Sequence, residues 1–144
     1  MEVLLQPVTR KNYEQVCELE VSKEQEDLVA ENTWSLVESL FEGYESRAIY
    51  ANKELVGFFM WVHETSEKTS IWRFMIDQKF QNKGIGRKAL DLALNEIKQS
   101  TKLREIEICY NPANPVAKDF YSSFGFTEVG MDEDNEDMLA VINV

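Results

Sequence analysis

The sequence has few of the residues that build crosslinked or metal-rich proteins: among 144 residues there are two cysteines, three prolines, six glycines and one histidine. Cys17 and Cys109 lie far apart and lack metal-ligand spacing, which argues against a disulfide framework and a cysteine-based metal site. No apolar run approaches the ~20 residues of a membrane span, and the N-terminus lacks a basic region followed by an apolar one. We therefore expect a cytoplasmic protein with reduced, buried thiols, no metal and no membrane association.

Positive charge is also scarce, because 15 Lys and Arg against 26 Asp and Glu give a formal net charge of −11. This balance excludes a nucleic-acid partner, since phosphate binding needs a basic surface. Between Glu14 and Glu45 there are ten acidic residues and one base, and a second acidic cluster covers residues 132–137. Such clusters are either a solvated surface or a region that attracts a polycationic substrate.

Length and a hydrophobic content of 44% predict a single domain over residues 1–144. The periodicity of apolar residues predicts a mixed α/β sheet with the order β-α-α-β-β-β-α-β-α-β-β. The predicted elements are a strand at 3–8, a helix after Thr9, a polar stretch at 22–31 that begins as helix, a helix at 34–41, strands at 47–51, 55–63 and 70–76, a helix at 84–99, a strand at 103–110, a helix opened by Pro115 and ended by Gly125, and strands at 126–131 and 138–144.

The helices are predicted to bury one apolar stripe each. Thr9 is the expected N-cap of the first helix, Asn32 or Thr33 that of the second, and Gly43 ends the second. The residues expected to face the core are Tyr13, Val16 and Cys17 in the first helix, Trp34, Val37 and Phe41 in the second, and Ile85, Ala89, Leu92, Ala93 and Ile97 in the third.

A glycine-containing loop, residues 81–86, separates the strand at 70–76 from the following helix. Gly84 and Gly86 allow a bound group to approach the backbone, and the first N–H groups of a helix lack internal partners. Lys83 and Arg87 add positive charge at the same end of the helix, so the arrangement suits a pyrophosphate. A strand, glycine turn and helix are also a common tight connection without a ligand.

Two motifs in the chain carry a family resemblance. Gln81, Gly84 and Gly86 fit the pattern Q/R-x-x-G-x-G/A, and the loop resembles the acyl-CoA loop of the GNAT superfamily of N-acetyltransferases. The segment from Asn114 to Phe126 resembles the pattern N-x-x-A-x-x-x-Y-x-x-x-G-F of the same family. The resemblance implies the GNAT fold, a mixed central sheet flanked by helices, and an acetyl-CoA-dependent transfer of an acetyl group to an amine.

The resemblance also implies site residues. Tyr121 would donate a proton to the departing thiolate, which a phenol with a pKa of ~10 can do. The alternatives are that Tyr121 only packs and that Asn114 only caps its helix. A backbone N–H near Met75 or Ile76 would polarise the thioester carbonyl. The residues that would bind acetyl-CoA are Phe74, Met75, Ile76, Gln81, Asn82, Lys83, Gly84, Ile85, Gly86, Arg87 and Asn114.

The general base is left open by the sequence. Relatives that acetylate polyamines place a glutamate on the strand before the loop, whereas this chain has Trp72 and Arg73 there. His63, at the end of the neighbouring strand, and a water chain to acidic residues are the two candidates.

The stretch 24–36 resembles the Q-x-x-F-V-A-x-N-x-x-S-L segment of bacterial diamine and spermine/spermidine acetyltransferases, with Leu28 in place of Phe. In that branch the first two helices cover the acceptor site. The implied substrate is a small polycationic amine such as spermine or spermidine, and a homodimer through the C-terminal strands is expected. A protein or peptide N-acetyltransferase and a non-catalytic acetyl-CoA-binding module remain as alternatives. The residues expected to bind the amine are Glu24, Glu26, Asp27 and Glu31.

Overall fold

The structure is a computed structural model, and it describes residues 1–23 and 31–144. Seven strands form one mixed sheet in the order β1-β2-β3-β4-β5-β7-β6. The element order predicted from the sequence is confirmed. The elements are β1 (Val3–Pro7), α1 (Tyr13–Glu18), α2 (Asn32–Glu42), β2 (Glu45–Ala51), β3 (Glu54–His63), β4 (Lys68–Ile76), a single 3-10 turn (Gln78–Phe80), α3 (Ile85–Ile97), β5 (Glu105–Tyr110), α4 (Pro115–Ser122), β6 (Thr127–Met131) and β7 (Met138–Asn143).

The two central strands, β4 and β5, diverge in the middle of the sheet. They are the parallel pair, and their register runs from Lys68 opposite Glu105 only as far as Ile71 opposite Ile108. A register shift in β4 against β3 coincides with Arg73, whose φ of 56° is a left-handed conformation rare in strands. We call the resulting opening the notch; residues 72–76 of β4 border it and have no pairing register with β5.

The helices cover the two faces of the sheet. On one face α3 and α4 pack on a large core that includes Phe59, Ile106 and Ile108, all 2% exposed or less. On the other face α1 and α2 pack on a smaller core built around Val16 and Phe58. Because side chains alternate along β5, Ile108 and Tyr110 point to the α3/α4 side, and Cys109 between them points to the α1/α2 side.

Three predictions about the first two helices are corrected. Thr9 is not an N-cap, because α1 begins after Asn12; the Asn12 side chain accepts from the Thr9 N–H at 2.8 Å instead. Tyr13 is exposed and does not join the core. The second helix begins at Asn32, with Glu31 in the N-cap position, whereas Gly43 ends it as predicted, with a φ of 72°.

The apolar stripe of α2 also faces the opposite way from the prediction: Trp34 is 65% exposed and Phe41 85%, and Val37 is exposed as well. The buried face of α2 consists of Asn32, Ser35 and Ser39. The Asn32 side chain donates to the Val16 carbonyl at 2.8 Å, which fixes the rotation of the helix on α1. Short hydroxyl side chains then allow close packing, so hydrogen bonding rather than apolar periodicity decides which face is buried.

Two smaller predictions need adjustment. In α3, Leu90 and Leu94 are buried, whereas Leu92 is only partly buried. Cys17 and Cys109 are free, as expected, but both are half-buried rather than buried.

Candidate active site

A cleft of about 320 Å³ lies at the notch on the α3/α4 side of the sheet. It brings together most of the residues predicted to bind acetyl-CoA. Two of them, Lys83 and Ile85, do not line it. The Lys83 ammonium lies 5.8 Å from the centre of the Phe80 ring, and the Ile85 side chain is buried in the core. The lining residues are Val21, Phe74, Met75, Ile76, Phe80, Gln81, Asn82, Gly84, Gly86, Arg87, Asn114, Val116, Ala117, Phe120 and Tyr121.

The two glycines of the loop are explained by different causes. Gly84 is the N-cap of α3 and has a φ of 81°, a conformation that favours glycine. Gly86 has no such requirement: a Cβ added there would meet Ile76 and Phe120 side-chain atoms at 3.7 Å, an ordinary contact distance. The folded chain therefore tolerates a methyl group at Gly86, and a ligand in close contact with the backbone is a reason for the glycine.

The start of α3 is an anion-binding arrangement. The Lys88 N–H bonds back to the Gly84 carbonyl at 3.3 Å, so the N–H groups of the three preceding residues have no intrahelical acceptor. The Gln81 side chain donates to the Ile76 carbonyl at 2.9 Å and so holds the loop against the end of β4. Arg87, in the first turn of α3, lines the cleft; it donates to Ser123 Oγ at 2.6 Å and lies over the Phe124 ring, so its guanidinium is held at the end of α4.

Tyr121 reaches the cleft from α4 and is 7% exposed. Its ring stacks on Tyr110, with centroids 5.9 Å apart, and meets the edge of Phe126. Burial raises the pKa of the phenol, so the hydroxyl stays protonated at neutral pH. Within residues 1–23 and 31–144, no side chain or backbone group forms a hydrogen bond with this hydroxyl.

Asn114 performs the capping role that the sequence allows and also lines the cleft. Its Oδ1 accepts from the Ala117 N–H at 3.2 Å, and Pro115 follows at the first helical position. The carboxamide is therefore fixed at the cleft wall by the helix it caps.

The opposite side of the notch is acidic, and its carboxylates come from the two acidic clusters that the sequence shows at residues 14–45 and 132–137. Burial raises the pKa of Tyr44, and the charges of three glutamates add to this effect. Burial likewise raises the pKa of Cys109 to about 12, and three further carboxylates contribute. Lys68 pairs with two of these carboxylates, Glu64 at 3.3 Å and Glu107 at 3.1 Å. We call the other four the acidic rim: Glu38, Glu42, Asp132 and Asp137. The spacing in the sequence also links two of the acidic residues, because Glu38 lies seven residues, about two helical turns, after Glu31.

The predicted acceptor-binding residues are only partly described. Glu24, Glu26 and Asp27 lie outside the described residues. Glu31 is exposed at the start of α2, and the neighbouring Asn32 side chain donates to the Met75 sulfur at 3.5 Å, next to the cleft.

His63 lies far from the cleft. It pairs with Thr69 at the end of β3, six residues from Gly57, which pairs with Ile76. At ~3.3 Å per residue, His63 and Gly57 are about 20 Å apart along the strand. His63 is therefore rejected as a direct general base, because strand pairing holds it at the wrong end of β4.

Across residues 1–23 and 31–144, no group of three or more His, Cys, Asp or Glu side chains is arranged to hold a metal ion. No helix in this described part is long and apolar enough to cross a membrane.

Comparison with known proteins gives a consistent set of matches. Residues 11–126 match the Acetyltransferase (GNAT) family. The chain is 29% identical over 135 residues to the spermine/spermidine N(1)-acetyltransferase of Bacillus subtilis (strain 168), with 88% of each chain covered. A probable spermine N(1)-acetyltransferase from Bacillus subtilis subsp. natto (strain BEST195) matches at the same identity and coverage.

Solved structures share the fold. An acetyltransferase from Thermus thermophilus has a TM-score of 0.80 at 20% identity, covering 100% of this chain and 98% of that one. Spermidine N-acetyltransferase from Vibrio cholerae, in complex with CoA and spermine, has a TM-score of 0.78 at 17% identity, covering 98% and 95%. The fold predicted from the sequence is confirmed by these matches.

Proposed function

Because the chain belongs to the acetyltransferase (GNAT) family, it is an acetyl-CoA-dependent N-acetyltransferase, and we propose that its acceptor is a polyamine such as spermine or spermidine. The acidic rim is the observation that carries this proposal. Four carboxylates lie on one side of the notch, and Arg73 pairs with one of them, Glu38, at 3.1 Å.

A polyamine suits this surface for a simple electrostatic reason. Aliphatic amines have a pKa of ~10.4, so a polyamine carries several ammonium charges at neutral pH. A negative surface raises the local concentration of such a substrate and offers it several contacts at once. Glu31, in the N-cap position of α2, lies seven residues before Glu38 and would extend this surface. Glu24, Glu26 and Asp27 are proposed to bind the amine on the sequence resemblance alone. The substrates named for the two Bacillus relatives support the same class of acceptor.

The cleft fits acetyl-CoA on three counts. The backbone of Phe74, Met75 and Ile76 borders the notch without pairing to β5, so an extended pantetheine arm can add to the strand there. The free N–H groups at the start of α3 and the nearby Arg87 suit a pyrophosphate. Gly86 leaves room for that group to approach the backbone.

In the proposed reaction a neutral amine attacks the thioester carbonyl, which a backbone N–H of Met75 or Ile76 polarises. The amine must first lose a proton on the acidic side of the notch. A water chain to the carboxylates of the acidic rim would carry this proton away. Burial, followed by the charge of Asp132, raises the pKa of Asp137 among them. Tyr121, which is protonated at neutral pH, then donates its phenolic proton to the sulfur that departs. The remaining proton that the amine nitrogen loses as the amide forms restores the phenol.

We also propose that residues 1–144 form a single domain and that the protein forms a homodimer through its C-terminal strands. β6 is an edge strand of the sheet and pairs only with β7 among the described elements, which leaves its outer edge available to a second copy.

The test is thiol release from acetyl-CoA with spermine, spermidine, putrescine, a lysine-containing peptide and a peptide with a free N-terminus. We expect amine-dependent release with spermine or spermidine as the best acceptors. Release with a peptide alone would contradict the polyamine proposal and indicate protein acetylation. CoA binding without release for any acceptor would contradict it too, in favour of a binding module.

A further inference from the structure

Arg73 occupies an unusual position at the notch. It adopts a φ of 56° at the bulge of β4, and its guanidinium reaches across to α2, where Nη2 donates to Glu38 Oε1 at 3.1 Å. The side chain is 19% exposed, and its central carbon lies 5.7 Å from the centre of the Trp72 ring. Its buried Nε finds no acceptor among residues 1–23 and 31–144. The guanidinium is thus held by one ion pair with part of its donor capacity unused.

The same guanidinium acts on both halves of the acidic rim. Its positive charge lowers the pKa of Tyr44, on the α2 side, and of Asp137, before β7, against the larger opposing effect of burial in each case. Arg73 therefore interacts with Glu38 of α2 through an ion pair and with Asp137 of the β6–β7 connection through its charge.

We propose that Arg73 is a specificity-determining residue: in the free enzyme its guanidinium occupies the place that one ammonium group of the acceptor takes in the complex. The acceptor must then displace Arg73 from Glu38. This inference rests on the proposed polyamine function. A partly exposed ion pair contributes little net stability, so an acceptor with several ammonium groups can replace it, whereas an acceptor with one charge competes poorly.

The charge of the surroundings favours a cationic occupant over an anionic one. An acceptor carboxylate binding to Arg73 would meet repulsion from the carboxylates of the acidic rim. An ammonium group meets attraction from the same carboxylates and offers the donors that Glu38 now receives from Arg73.

The experiment compares Arg73→Gln, Arg73→Lys and a matched control, Arg47→Gln, by steady-state kinetics with spermidine and with putrescine. Arg47 is also a strand arginine that pairs with a helix glutamate, Glu96, and lies over a tryptophan ring, but it does so away from the notch. We expect Arg73→Gln to lower the KM for spermidine by about three- to tenfold, with the KM for acetyl-CoA unchanged. Arg73→Lys keeps the charge and should resemble the wild type.

Arg73→Gln should also lower the ratio of kcat/KM for spermidine to kcat/KM for a monoamine such as butylamine, because the monoamine no longer competes with a guanidinium. Arg47→Gln should change neither KM. A higher amine KM in Arg73→Gln would overturn the proposal and indicate that Arg73 contacts the acceptor directly. A higher KM for acetyl-CoA in Arg73→Gln would overturn the proposal and indicate that Arg73 acts at the thioester. Unchanged kinetics would show that Arg73 has no role in acceptor selection.

A binding measurement separates failure of this inference from failure of the proposed function. Titration calorimetry of spermidine into the CoA-saturated protein needs no turnover. Tighter binding by Arg73→Gln than by wild type supports the displacement of Arg73. Equal binding by the two proteins overturns the displacement while leaving the polyamine function standing. Failure of both proteins to bind or acetylate any polyamine overturns both proposals. Thermal unfolding of each variant shows that the fold is retained.

Discussion

The carboxylate of Asp77 accepts a hydrogen bond from the backbone N–H of Glu20, at 2.9 Å, across 57 positions of sequence. The Gln78 N–H returns a second bond to the Glu20 carbonyl at 2.7 Å. The two bonds tie the segment after α1 to the end of β4, beside the cleft that Val21 lines. The buried Asp77 thereby fixes one wall of the site without facing the ligand.

Asp77→Asn should destabilise the protein. Asp77 accepts two backbone N–H groups, from Glu20 and from Lys79, and an asparagine has only one acceptor oxygen. Leaving one buried donor unpaired should lower the free energy of unfolding by about 1–3 kcal/mol, measured by urea denaturation. Gln78→Ala is the control, because that side chain is exposed and the backbone bond persists. Equal stability of Asp77→Asn and wild type would contradict the structural role.

Gly86→Ala should separate ligand binding from folding. The added methyl group meets its neighbours at 3.7 Å, so we expect the free energy of unfolding to change by less than about 1 kcal/mol. The KM for acetyl-CoA should rise by at least about tenfold, because the methyl group takes the space beside the helix N-terminus.

Gly57→Ala is the contrasting variant. A Cβ there would lie 2.6 Å from the Met75 carbonyl oxygen, so the free energy of unfolding should fall by about 1–3 kcal/mol. An unchanged KM for acetyl-CoA in a stable Gly86→Ala would refute the close approach of the ligand.

Tyr121→Phe should lower kcat by about 10²–10⁴-fold, the range of general acid catalysis, with little change in the KM for acetyl-CoA. The raised pKa of Tyr121 keeps the phenol protonated to higher pH than an ordinary tyrosine. The wild-type profile of kcat should therefore show no alkaline decline from this group below pH ~10, measured with saturating substrates.

Tyr110→Phe is the matched control. Tyr110 stacks on Tyr121 and donates to Glu128 behind the cleft, but it does not line the cleft. It should leave kcat nearly unchanged. A Tyr121→Phe variant as active as wild type would exclude the proton-donor role.

Cys109 should react slowly with iodoacetamide in the native protein. Burial, followed by the charge of Asp137, raises its pKa to about 12, so only about 1 in 10⁴ of the thiol is ionised at pH 8. The urea-unfolded protein should alkylate quickly at the same pH, and peptide mass spectrometry gives both rates. Rapid native alkylation would show that the thiol is ionised and would contradict the raised pKa.

Much of the cleft was predictable because its parts are local in sequence. The loop from Gln81 to Gly86 begins a helix, and Asn114 begins the next one with Pro115 behind it. Hydrogen bonds within a few residues determine such features. Tyr121 follows Asn114 by seven positions, so helix geometry alone brings it to the same side of α4.

The orientation of α2 was not predictable in the same way. Its apolar residues have helical spacing, which predicts that Trp34 and Phe41 face the core. A contact between Asn32 and Val16 across 16 positions turns these residues outward. Spacing along one helix contains no information about such a bond.

By itself the sequence determined the order of the strands and helices, the glycine loop with its cationic neighbours, and the strongly negative charge, since each depends on residues close together in the chain or on composition. Only the tertiary structure decided where the charge is used. The bulge at Arg73 opens the notch, and it brings together Glu38, Arg73 and Asp137, which are at least 35 positions apart. The physical reason is that a strand bulge and a helix rotation depend on packing between distant segments, which determines which charges meet.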